Sequence, residues 1–193
     1  MAIPKFHDER LALLPEKYFL AVGHLQYAYT TLEVAIASHL HLIVTAGYDP
    51  QDHRFLFDRI YAVMGGMRMD AAKDAFKRLL RVIEAPPEVA AYVGGLFSQL
   101  SEIQWFRNRL THYQTGRWPR KRGLFINSDV GLAREDAKVV TFAFGYDALD
   151  AARHDLHAII LYLDQAVPAP GDPVILAPPA WQYKPSMLVR SGQ

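Results

Sequence analysis

Between Pro15 and Ala46 the positions Tyr18, Val22, Leu25, Tyr29, Leu32, Ile36, His39 and Ile43 recur at alternating spacings of three and four. That spacing predicts one long helix with a single inward stripe, closed by Gly47 at its C-terminal end. Asp49-Pro50 then pairs a capping residue with a proline suited to a first turn, which predicts a short helix to about Val63, ended by Gly65-Gly66. A third helix is expected from near Asp70, with Ala72, Phe76, Leu79 and Ile83 on one face. Pro86-Pro87 restarts the chain into a fourth, whose inward positions Val89, Val93, Leu96, Leu100 and Ile103 lead toward Gly116.

After Gly116 the period changes. "GLFINSDV" and "KVVTFAF" are rich in β-branched and aromatic residues and flank the polar stretch "GLARED", which predicts a β-hairpin over about residues 122–145. From Tyr146 to Val167 the helical period returns, with Leu149, Ala152, Leu156, Ile159 or Ile160, and Leu163 on one face. Six prolines within the eighteen residues from Pro168 onward predict an extended tail over 168–193. The expected fold class is mainly α: an up-and-down bundle of four to five helices, with a hairpin inserted before the last long helix. Residues 1–167 are expected to form a single domain.

Composition narrows this picture more than it extends it. A chain of 193 residues, 51% hydrophobic, supports one good core. The net charge of +1 gives no whole-molecule pull toward nucleic acid or membrane, so any electrostatic argument is local. The absence of cysteine excludes disulfides, thiolate catalysis and cysteine zinc sites. "MAIPKFHDER" lacks the apolar core of a secretory signal, and the stretch "VAIASHLHLIV" is too short and too histidine-broken to span a bilayer. A cytoplasmic protein without membrane contact is expected.

The fourth helix carries the candidate chemistry, in "WFRNRLTHYQTG". Its inward stripe runs at spacings of four, three, four and three to Ile103, and extrapolation places Arg107 in the next core slot, with Leu110 after it. A guanidinium keeps its proton, so burying one requires a carboxylate, a phosphate or water. Glu33, beside Leu32 on the first helix, is the natural structural partner; an anionic ligand is the functional alternative. Asn108 and His112 are four apart and share a helical face, whereas Arg107 and His112 diverge by about 140° on an ideal helix. These two converge on one ligand if the helix frays near Gly116 or if a second subunit supplies its own copy. The plainer account of His112 is a histidine favoured by the C-terminal end of a helix dipole.

"RNRLTH" resembles the R-x4-6-H signature of the HEPN superfamily of helical-bundle proteins, in which the residue after the arginine is usually polar and often asparagine, as Asn108 is. "FRNRLTH" is especially similar to the HEPN ribonuclease toxins of bacterial toxin–antitoxin pairs. The motif covers six residues, and the helical layout extends the likeness loosely over residues 15–167. Those toxins commonly carry a tyrosine two residues after the histidine, where the antitoxin modifies them; here that position is Gln114, and the tyrosine is Tyr113. The resemblance implies metal-independent RNA cleavage by a homodimer, without a cofactor, and an antitoxin-type protein partner. Arg107, His112 and Asn108 would be the catalytic set.

Between Arg107 and Arg122 there are six basic residues and no acidic one. Arg109, Arg117, Arg120, Lys121 and Arg122, interleaved with Tyr113 and Trp118, suit single-stranded RNA through phosphate contacts and base stacking. A solvated basic loop leading into the hairpin is the bland account of the same residues. His154, Asp155 and His157 on the last helix, and His39 and His41 on the first, lack the Glu-x-x-His spacing of bundle metal sites, so no metal centre is expected. Neither Gly65-Gly66 nor Gly94-Gly95 belongs to a phosphate-binding loop.

Overall fold

The computed structural model describes residues 14–45, 67–117, 124–128, 141–168 and 172–190. The chain is mainly helical. Helix α1 spans Glu16–Thr45, α2 Met69–Val82, α3 Pro87–His112 and α4 Tyr146–Ala166. The short helix expected from Asp49 to Val63 lies outside the described residues. Among the described residues four short strands form one sheet in the order β1-β2-β3-β4: Gln114–Arg117, Phe125–Ser128, Thr141–Phe144 and Val189–Arg190. All three strand pairings are antiparallel. The hairpin before the last helix is β2 against β3, with Phe125 opposite Phe144 and Asn127 opposite Phe142.

Two compact units divide the chain. The first comprises Met1–Tyr27, Ser101–Asp155 and Trp181–Gln193; the second comprises Ala28–Leu100 and Leu156–Ala180. In the second unit the inward stripes of α1, α3 and α4 meet as the spacing predicts, while α2 buries Met69, Ala72, Phe76 and Leu80 and leaves the expected Ile83 48% exposed. Leu32, Ile36, Phe76, Val93, Leu96, Leu100, Leu156, Ile159 and Leu163 are all fully buried. Phe76 and Phe97 meet edge to face at 5.4 Å, the arrangement that ring quadrupoles favour. Between α2 and α3 the chain turns through Glu84, at φ 52°, while Ala85 N–H donates to Leu80 O at 2.9 Å. That is a Schellman-type stop, after which Pro87 opens α3.

The first unit is built on aromatic rings. Paired strand residues share a face, so Phe125, Phe142 and Phe144 all point the same way from the hairpin. Tyr18 of α1 lies 4.6 Å from Phe125, and Phe106 of α3 lies 5.3 Å from Phe144. Tyr183, from the proline-rich tail, stacks on Phe106 at 5.5 Å and is buried. Through Tyr183 the tail is part of the core. Asp155, wholly buried on α4, accepts hydrogen bonds from the backbone N–H groups of Gln182 and Tyr183, each at 2.9 Å. Val189 then pairs with Ala143 as the sheet's outer strand.

Candidate functional site

The end of α3 differs from the extrapolated pattern in two places. After Ile103 the buried positions are Phe106 and Arg109, not Arg107 and Leu110. From Ile103 on the stripe steps by three, and each such step turns the buried face by about 60° on a helix of 3.6 residues per turn, toward the rings of the sheet. The large Phe106 ring takes the core slot against Phe144 and Tyr183. Arg107 therefore sits half-buried at the margin. Helix α3 also stops at His112 rather than Gly116, because Gln114–Arg117 leaves as strand β1 to pair with β2.

Arg107 is held by two amide oxygens. Its Nε donates to Gln26 Oε1 of α1 at 2.7 Å, and its Nη1 donates to Asn108 Oδ1 at 2.9 Å. Gln26 lies about two helical turns before Glu33, which belongs to the second unit. Thr111 Oγ1 donates back to the carbonyls of Arg107 and Asn108, both at 3.2 Å, which satisfies acceptors in the last turn. His112 is exposed as the final helical residue. Because α3 is regular through His112, Arg107 and His112 leave the axis about 140° apart. Asn108 lies between these two directions.

Arg109 is not on the open surface expected of a phosphate contact. It is buried, with its guanidinium carbon 4.0 Å from the Tyr113 ring centre, 5.8 Å from that of Trp105 and 5.9 Å from that of Phe142. Such cation–π contacts are the usual way a planar cation is accommodated among rings. Half-buried Tyr113 covers this cation. Arg117 is exposed on β1, and Trp118, Arg120, Lys121 and Arg122 lie outside the described residues.

Three residues of this region were not legible as site residues. Gln26 had no motif around it. Trp105 opens the quoted stretch, and its 41% exposure depends on where the sheet packs. Asn127 is fully buried at an inward strand position, where its amide donates to Arg109 O at 2.9 Å, Tyr113 O at 3.4 Å and Thr115 Oγ1 at 3.0 Å. It caps the carbonyl end of α3 from the sheet, fixing the helix terminus that bears His112. An asparagine in the inward phase of "LFINS" was the available signal.

Elsewhere in the first unit, a cleft of about 360 Å³ is lined by Lys17, His24, Tyr146, Asp147, Asp150 and Arg153, among others. It shares no residue with the α3 motif. Among the described residues no group of three histidine, aspartate or glutamate side chains is arranged to hold a metal, and no helix is long and apolar enough to cross a membrane. Comparison with family models, curated proteins and solved structures gives no match to this chain, so a functional reading rests on the residues themselves.

Proposed function

We propose that the protein is a HEPN-like, metal-independent endoribonuclease that works as a homodimer. The supporting observation is the end of α3: an oriented arginine at its margin and an exposed histidine at its last residue, in the order and spacing of the R-x4-6-H signature. In this reading the 2′-hydroxyl of a ribose attacks the adjacent phosphorus. Its proton passes to one histidine, the P–O5′ bond breaks, and the leaving oxygen takes a proton from a second. The products are a cyclic phosphate and a free 5′-hydroxyl. An imidazole such as that of His112 can both accept and donate a proton, so it suits either transfer. Arg107 presents a planar fork of donors to the charge that develops on the phosphorane oxygens. Asn108, bonded to Arg107, sets the angle of that fork. One chain supplies one such histidine, so the second belongs to a second copy across a two-fold axis. Arg117 and the basic residues that follow it would contact the strand's phosphates. Arg109 supports the helix end from within.

The test is RNA cleavage in the presence of a chelator. His112→Ala is expected to lower the rate about 10²–10⁴-fold, the usual contribution of a positioned proton carrier. Arg107→Ala is expected to abolish cleavage with the helical circular-dichroism signal intact. Full cleavage by both variants would end this reading.

A second reading is favoured by the bond from Arg107 to Gln26, which ties α3 to α1 within the first unit. There the motif is structural and the protein is a non-catalytic helical binding module. Removing a charged hydrogen-bond partner of this kind costs about 1.5–3 kcal/mol. Arg107→Ala would then lower the unfolding midpoint, and wild type would cleave no RNA.

A further inference from the structure

Trp105 presents a large apolar ring to solvent at 41% exposure, and two side chains of the same unit pack against it. Phe142 of β3 meets it at 5.4 Å between ring centres, tilted by 39°. The Arg109 guanidinium lies 5.8 Å from its centre, itself pinned at 4.0 Å by the Tyr113 ring. An indole left partly in water forfeits transfer free energy, and one held rigidly there is pre-organised to receive a flat partner. Its place on α3 indicates which partner. Trp105, Asn108 and His112 stand at i, i+3 and i+7, so they share one face of the helix. Trp105 and His112 are separated by about 10 Å along the axis. Arg107 points to the opposite side of α3 from Trp105.

We propose that Trp105 is a base-stacking platform for single-stranded RNA, holding a base that flanks the scissile phosphate on its His112 side. The proposal rests on the ribonuclease reading above and adds a binding residue to it. Only an unpaired strand offers a free base face to an aromatic side chain. A ring braced by a buried guanidinium and a phenylalanine keeps one orientation, so stacking orders little that is not already ordered. The offset from His112 means that the stacked base is a neighbour of the reacting nucleotide, not the nucleotide itself. Trp105 therefore sets affinity and registration of the strand, and the chemical step belongs to the other residues.

The experiment uses the full chain carrying His112→Ala, so that bound RNA stays intact. Binding is measured to a single-stranded oligoribonucleotide and to a series in which one abasic ribose analogue is walked along it. The parent is expected to lose affinity when the abasic site reaches one particular position. Trp105→Leu should raise Kd for the unmodified strand about 5- to 150-fold, the usual range for losing one base–aromatic stack, and should erase the abasic penalty. Trp105→Phe should keep most of both, and circular dichroism should show all three variants folded. An unchanged Kd and an unchanged abasic penalty in Trp105→Leu would overturn the stacking role while leaving RNA binding in place. No binding of any strand by the parent would overturn the stacking role together with the RNA reading, a visibly different outcome.

Discussion

Tyr18 and Tyr183 bring their hydroxyls into the aromatic interior of the first unit, and their acidity reports that burial. Burial pushes the Tyr18 phenol up to about 12; a hydrogen bond with Thr115 opposes the shift, and the nearby Tyr146 adds to it. Burial raises Tyr183 as well, and the charge of Glu102 acts in the same direction. An unfolded tyrosine ionises near pH 10, so between about 10 and 12 the unfolded chain binds fewer protons than the folded one. Stability from these groups is fully present below pH 10 and is lost as pH rises through the folded values. Alkaline titration followed by tyrosinate absorbance should show a late, cooperative fraction coincident with loss of helical circular dichroism. A single smooth transition centred near pH 10, with the helix intact, would contradict the burial. The same scale shows where sequence pattern fails. Arg107 and Phe106 are adjacent, and a stripe stepping by three or four admits either. Packing chose the ring, which meets Phe144 and Tyr183 there, and the next buried position admits the Arg109 cation against the rings of Tyr113, Trp105 and Phe142.

At the scale of elements, long periodic segments were legible and short ones were not. α1, α4 and the first four turns of α3 bury their predicted stripes because each turn repeats the apolar signal, whereas α2 buries Leu80 in place of Leu79 and leaves Ile83 48% exposed. The hairpin was legible through Phe125, Ile126, Phe142 and Phe144. Strand β1 was hidden because "QTGR" has no apolar alternation and owes its extended form to pairing with β2. β4 is two residues long. The tail's proline content did not announce its attachment, which depends on the buried Asp155 carboxylate taking two backbone N–H groups. Asp155→Asn keeps the shape but places an amide nitrogen toward one of those donors and removes the charge that strengthens both bonds. The expected cost is about 1.5–3 kcal/mol, read from a denaturant midpoint. Hydrogen exchange should localise it: the Gln182 and Tyr183 amides should lose protection while the β2–β3 amides keep theirs. Equal loss across the whole sheet would mean that the tail unfolds only with the unit as a whole. Because Tyr183 stacks on the residue preceding Arg107, a loosened tail should also weaken the end of α3.

For the whole molecule, the net charge of +1 supplies no long-range field to gather RNA, so function must come from a local arrangement. In the proposed reading one protomer's regular helix turns Arg107 and His112 apart, and a two-fold axis brings together what a single chain separates. That has a consequence which mixing can expose. The reacting site of that reading takes His112 from both copies, so a dimer of one wild-type chain and one His112→Ala chain has no complete site. Mixed in equal amounts with random exchange, half the dimers are hybrids and a quarter are wild type, so cleavage should fall to roughly half that of the wild-type chains alone. The loss should need time or mild denaturant for subunit exchange and should vanish if the chains are assayed without it. A site complete within one chain keeps full cleavage at any mixing ratio. Sedimentation of the mixture distinguishes that outcome from failed exchange, since a chain that stays monomeric throughout has no second copy to contribute.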